Sequence, residues 1–209
     1  MHSPQERDPH GEFGALAALS APIALTQLGH MVMGVVDTMM VARVGVEALA
    51  AIAIASTWVW SSGSLAQGIV QGMDPLVSQA HGRGDGEGAA LALQRGLVIS
   101  VVISIPLMIL WASTEPLLVW LGQDPVVADL AQTYLLARLP SALGFILFIA
   151  LRQYLASRGI TRPAMWMMFI CNVANVFFNW VLIFGRLGFP ALGVQGAGIA
   201  TALTNVLLP

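Results

Sequence analysis

The sequence predicts an all-α, polytopic membrane protein, and three observations carry that prediction. Hydrophobic residues make up 57% of the 209-residue chain and charged residues only 10%, against about 25% charged in soluble domains. Mean hydropathy is +0.78. Long apolar runs recur, several matching the ~20 residues that a helix needs to cross a hydrocarbon core, and the stretches between them are short. The net charge of −2 is uninformative about partners, and all nine basic residues are arginine. Cys171 is alone, which excludes an intramolecular disulfide and a cysteine zinc site. No basic patch suits nucleic acid.

Residues 1–12, MHSPQERDPHGE, are polar and mixed in charge. They make a poor signal-peptide start and read as a disordered cytoplasmic tail. Residues 13–209 divide into six spans. The first runs from Phe13 to Val41, the second from Val46 to Gly72 and the third from Ala89 to Ala112. The fourth covers Ala128–Leu155, the fifth Pro163–Phe184, and the sixth begins at Gly193. Glu47 opens span two, and Asp74-Pro75 is expected to terminate it. Pro22 and Pro163 are expected near helix starts, where proline is tolerated. Pro106 and Pro140 fall inside spans and are expected to kink them.

The polar connection HGRGDGEG at 81–88 cannot lie in lipid. Its alternating glycines follow no strand, so a dinucleotide loop is excluded. Its GRGD string matches an intramembrane aspartyl protease pattern, but Asp85 lies in a polar loop rather than an apolar helix. The chain therefore reads as a non-enzyme. With the N-terminus inside, Arg7, Arg83, Arg95, Arg152, Arg158 and Arg162 fall at inner connections, and only Arg43 and Arg186 fall in outer loops. The loop from Ser113 to Pro125 carries acids and no base, and Trp111, Trp120 and Tyr134 suggest an aromatic belt at that end.

Asp37 is the one formal charge in span one. A charged carboxylate costs about 2.5–3.5 kcal/mol at the centre of a membrane helix on insertion scales. At 100° per residue Thr26 and His30 fall within about 20° of it, Gly34 about 60° and Gln27 about 80° away, forming a polar stripe. Spacing alone is equally compatible with an acid solvated near the outer interface. Span five, however, carries Asn172, Asn175 and Asn179 at i, i+3, i+7 on one face. Single interhelical amides serve as glue, whereas amide oxygens beside a carboxylate also make a hard-cation ligand set. In span six Gln195, Thr201, Thr204 and Asn205 add polar groups, with both threonines able to bond their own helix backbone. His81 and the methionines read as structural, although methionine walls also suit varied ligands.

An ordered set of motifs gives the chain a family resemblance. Val36-Asp37-Thr38-Met39-Met40-Val41-Ala42-Arg43-Val44-Gly45, with Ala48-Leu49-Ala50-Ala51, resembles the first-helix signature of the multidrug and toxic compound extrusion (MATE) transporters. Ser78-Gln79-Ala80-His81-Gly82-Arg83-Gly84-Asp85 is similar to the next connection. Leu151-Arg152-Gln153-Tyr154-Leu155 with Thr161-Arg162-Pro163 is similar to the fourth-to-fifth one. Asn175 to Trp180 and Gly193 to Thr201 resemble helices five and six. The resemblance implies one six-helix lobe of a twelve-helix transporter. It also implies an ion-coupling site at Asp37, Asn175, Asn179 and Thr201, the same four residues being candidate sodium ligands. Asn179 stands where some members carry a second carboxylate, which lowers the charge of the site.

The expected activity is export of organic cations or other amphiphilic drugs across a bacterial plasma (inner) membrane, in antiport with Na+ or H+ and with no other cofactor. Gln27, His30, Gly34 and Asn172 are candidates for the substrate cavity. The chain is expected to be multi-pass with a cytoplasmic N-terminus, and to need a missing carboxy-terminal lobe as partner. The two alternatives are a lipid-linked precursor flippase, for which the spans offer only Arg138 as a cationic group, and a non-transporting truncated relic.

Overall fold

The computed structural model describes residues 9–206, and among them the only regular elements are nine helices. They are α1 (Pro9–Val41), α2 (Val46–Gln71), α3 (Asp74–Gly82), α4 (Gly86–Ala112), α5 (Thr114–Trp120), α6 (Pro125–Arg138), α7 (Ser141–Ser157), α8 (Arg162–Phe184) and α9 (Gly193–Val206). Among the described residues, four segments are long and apolar enough to cross a membrane, namely Leu16–Val41, Val46–Gly82, Gly86–Ala112 and Arg162–Phe184. The bent pair α6–α7 makes a fifth. The sixth expected span is α9, with 14 residues. Of the tail expected over 1–12, residues 1–8 lie outside the described residues, while residues 9–12 are helical and belong to α1.

Capping follows local sequence. Asp85 is not a catalytic acid but the N-cap of α4, accepting from Gly88 N at 2.8 Å. Asp124 caps α6, accepting from Val126 N at 2.8 Å, with Pro125 in the first turn. Gly185 ends α8 in the left-handed conformation. One expectation about a break needs correction. Asp74-Pro75 does not terminate span two; α2 ends at Gln71 and the pair starts α3, where proline's missing N–H is harmless. There Asp74 accepts hydrogen bonds from Ser157 and Gln153 of α7, so it also clamps two helices.

The prolines also divide differently from expectation. Pro163 sits in the first turn of α8, but Pro22 lies deep inside α1. Pro106 leaves α4 continuous, whereas at Pro140 the chain bends by 59° between α6 and α7. At that bend the Ser141 hydroxyl donates to Arg138 O at 2.7 Å, satisfying a carbonyl that the break exposes. The expected aromatic belt is likewise split. Trp120 is exposed, but Trp111 and Tyr134 are buried.

The main core lies among α2, α4, α6 and α7, around Ile52, Trp111, Tyr134, Leu135, Ile146 and Ile149. Helix α8 packs between α1 and α9, and α9 also packs on α6. Small residues allow these approaches: a Cβ on Gly196 would lie 2.5 Å from Leu182 O, and one on Gly198 would lie 2.6 Å from Tyr134 O. Gly198→Val should therefore lower stability by about 1–3 kcal/mol. The check is the melting temperature of the purified protein in detergent, against Leu203→Val on the exposed face as a control.

Candidate functional site

Among the residues of α1 whose burial is described, the buried ones are Pro22, Thr26, Met33, Asp37 and Val41, with His30 half-buried in the same row. Steps of four, four, three, four and four keep this row on one face of the helix. The stripe that carries the polar residues is therefore the stripe that packs inward, and Asp37 is only 5% exposed. The matching row on α8 is Ala164, Met168, Cys171, Asn175 and Asn179, with both asparagines fully buried. Thr201 lies on the buried face of α9 at 4% exposure.

These three rows meet at the carboxylate. Asn179 Nδ2 donates to Asp37 Oδ1 at 2.5 Å, and the Thr201 hydroxyl reaches Asp37 Oδ2 at 3.1 Å. The other hydrogen of Asn179 Nδ2 goes to Asn175 Oδ1 at 3.1 Å. Asn175 thus reaches the acid through Asn179, as a partner of the partner. The Thr201 oxygen also lies 3.0 Å from Ala197 O, yet a hydroxyl has one proton for its two acceptors. Asn179 Oδ1 and Asn175 Nδ2 are buried with no partner. An unmet amide oxygen beside a carboxylate and a hydroxyl is a place where a cation or a proton would complete the bonding. Among the described residues no three His, Cys, Asp or Glu side chains come together. The donor set is one carboxylate with neutral oxygens, which suits a hard monovalent cation better than a transition metal.

Asp37 opens onto a cavity of ≈ 80 Å³ that His30 and Gly34 also line, so two of the four cavity candidates stand on its wall. The His30 ring packs edge-on against Phe145 and Phe148. The other two candidates lie elsewhere. Asn172 does not line this cavity; its Nδ2 donates to Gly29 O at 3.1 Å and Met168 O at 2.9 Å, which ties α8 to α1. It sits at the flank of the buried α8 row rather than on it. Gln27 lines a second cavity of ≈ 460 Å³ with Gln71, Arg152 and Gln153, toward the end where α1 begins. Gln67 borders both cavities.

Sequence reasoning did not assign Ser56, Trp60, Ser64 and Gln67 of α2 to the cavity. Their i, i+4, i+8, i+11 spacing was the available signal, since polar groups in register on an apolar helix mark one face. Tyr134 and Arg138 also line it, from the far side of the Pro140 bend. Thr204 bonds its own helix at Ala200 O, 2.8 Å away.

A family model described as MatE matches residues 22–181. The chain is 38% identical over 198 residues to a "Probable multidrug resistance protein NorM" of Bradyrhizobium diazoefficiens, covering 93% of this chain and 42% of the relative. It is 34% identical to a "Multidrug resistance protein NorM" of Aliivibrio fischeri, covering 94% and 43%. Among solved structures, a eukaryotic MATE transporter, AtDTX14, superposes with a TM-score of 0.87 at 24% identity, over 94% of this chain and 43% of that one. An outward-facing MATE family transporter of the MOP superfamily gives 0.83 at 24% identity, over 93% and 42%. The chain thus spans less than half the length of these relatives.

The Asp37 cluster makes a stability prediction. Asn179→Ala removes the nearest donor to a buried carboxylate and should cost about 1–3 kcal/mol. In a denaturation cycle with Asp37→Asn the two changes should fall short of additivity, because the side chains touch. Additive losses would mean that the two groups are not bonded to each other.

Proposed function

The chain belongs to the MatE family, and from that membership and the Asp37 cluster we propose that it forms the amino-terminal lobe of a cation-coupled antiporter exporting amphiphilic or cationic drugs. The observation that carries the reading is a buried carboxylate on α1 bonded to α8 and α9, with an unmet amide oxygen beside it and a cavity at its face. The fold corresponds to about 42% of a MATE transporter. Alternating access uses a cleft between two lobes, so transport requires a second, carboxy-terminal lobe.

The coupling ion is Na+ or H+, and the bonding accommodates either. A sodium ion at Asp37 would take oxygens from Asn179 and Thr201, with Asn175 reached through Asn179. A proton on Asp37 would reverse one hydrogen bond and commit the Thr201 proton to the other. The carboxyl O–H would donate to the Thr201 oxygen, whose own proton would then serve Ala197 O, the acceptor already at hand. Either event cancels the negative charge that holds α1 against α8 and α9. Helix α1 would then rearrange about Pro22, where the proline lacks the N–H that would bond the Ala18 carbonyl. Cation binding and drug release are linked through that helix, which also lines the cavity with His30 and Gly34.

We place the arginine-rich ends of α3–α4 and α7–α8 in the cytoplasm of a bacterial cell, with the lobe in the inner membrane. A lipid-linked precursor flippase would call for several cationic groups around a pyrophosphate, whereas the wall of this cavity carries one guanidinium, Arg138, and one carboxylate. The test is ethidium efflux from proteoliposomes containing the full-length protein under an imposed Na+ or pH gradient. Asp37→Asn should reduce gradient-driven efflux at least tenfold; undiminished efflux would remove Asp37 from coupling.

A further inference from the structure

The second cavity, of ≈ 460 Å³, has a polar wall that the Asp37 cluster does not use. It lies among α1, α2, α7 and the first turn of α8, at the end of α1 remote from Asp37. Arg152 of α7 lines it and is half-buried. Among the described residues, no group accepts a hydrogen bond from its guanidinium, and none of its nitrogens is sealed from the cavity. Asp74 is the acid whose charge reaches Arg152, yet the two Asp74 oxygens accept from Gln153 and Ser157 instead. Gln27, Gln67 and Gln71 add three side-chain amides to the same wall.

The start of α8 gives this wall its sign. Thr161 is the N-cap of that 23-residue helix, but its side chain makes no capping bond. A threonine there ordinarily accepts from an N–H of the first turn. Thr161 is only 6% exposed, and its hydroxyl is neither bonded nor sealed, so it opens onto the cavity that the residue lines. Ala164, whose N–H is one of the first-turn donors with no intrahelical partner, lines the cavity too. A helix start carries roughly half a positive charge, and here it stands beside a guanidinium. Arg158 and Arg162, both exposed, flank the same turn. A guanidinium, a hydroxyl and the N–H groups of a helix start are the donors that a tetrahedral oxyanion takes from several sides.

We propose that this cavity is a phosphate site, in which Arg152, Thr161 and the first turn of α8 hold the phosphate of a hydroxylated phosphate ester. Glutamine amides both donate and accept, so Gln27 and Gln71 take the ester's hydroxyls. Two sources carry that chemistry to the inner face of a membrane: the phosphoglycerol headgroup of an anionic lipid, and a soluble glycerol phosphate. A bound phosphate ties the α7–α8 corner to α1 and α2, about 15 Å along α1 from Asp37. The site goes beyond the exporter reading, and no step of coupled transport enters it.

Saturable binding to the delipidated full-length protein in detergent tests this with three probes: phosphatidylglycerol, diacylglycerol of the same chains, and sn-glycerol 3-phosphate. Phosphatidylglycerol bound about tenfold or more tightly than diacylglycerol, the range of a charge-assisted hydrogen bond, with no binding of the soluble ester, assigns the site to a lipid headgroup. Saturable binding of sn-glycerol 3-phosphate assigns it to a soluble ester. In either case Arg152→Gln should weaken the bound ester about tenfold, Thr161→Val should weaken it less, and Arg152→Lys, which keeps the charge, should retain part of the affinity. Arg95→Gln, at an exposed arginine of α4, should leave it unchanged. Equal affinities for the two lipids together with no binding of the soluble ester would overturn the proposal. So would unchanged affinity in Arg152→Gln, or an equal loss in Arg95→Gln. The wild-type comparison stands even if a variant fails to fold. Loss of Asp37-dependent ethidium efflux with phosphate binding intact would strike the exporter reading alone.

Discussion

A single carboxylate, taken out of water and answered by groups from two other helices, organises the lobe. Asp37 comes from α1, its amide donor from α8 and its hydroxyl from α9, so the three helices share one electrostatic joint. A charge in a low-dielectric interior is held only where donors converge on it, which fixes the rotation of all three helices about their own axes. Helix α8 is central to this, packed against α1 on one side and α9 on the other. Glycines on α9 let it come close enough to α8 and α6 for Thr201 to reach the acid.

The same joint is incomplete in a productive way. Asn179 Oδ1 and Asn175 Nδ2 are buried without partners, and the Thr201 hydroxyl has two acceptors for one proton. A fully satisfied polar network rigidifies a core; one with an unmet oxygen and a shared proton leaves room for a cation to change it. A bilayer supplies no water to fill that deficit at lipid-facing positions, so the opening must be the cavity beside Asp37. Its far wall exists because of the bend at Pro140, which brings the end of α6, with Tyr134 and Arg138, around to face α1 and α2.

The differences from the sequence reading have physical causes that spacing cannot carry. Asn172, Asn175 and Asn179 share a face by periodicity, but only the last two lie on the buried row, and Asn172 turns to the Gly29 carbonyl on α1. Pro106 and Pro140 look alike as internal prolines. One is carried within a continuous helix, whereas the other sits where a side chain, Ser141, rescues an exposed carbonyl and lets the chain turn. Trp111 and Tyr134 have the composition of an interfacial belt, yet they pack inward against Arg138.

What the sequence by itself determined is the membrane class, the approximate position of the long helices and the polar stripe on α1. These are local properties: apolar length, capping chemistry and a 3.6-residue period act within one segment. The tertiary structure decided which polar residues touch, which are spent as glue, and that a lone arginine lines the cavity of a lone acid. Those outcomes depend on the approach and rotation of helices far apart in the chain, as with Asp37 and Thr201. No periodicity within either helix encodes the distance between them.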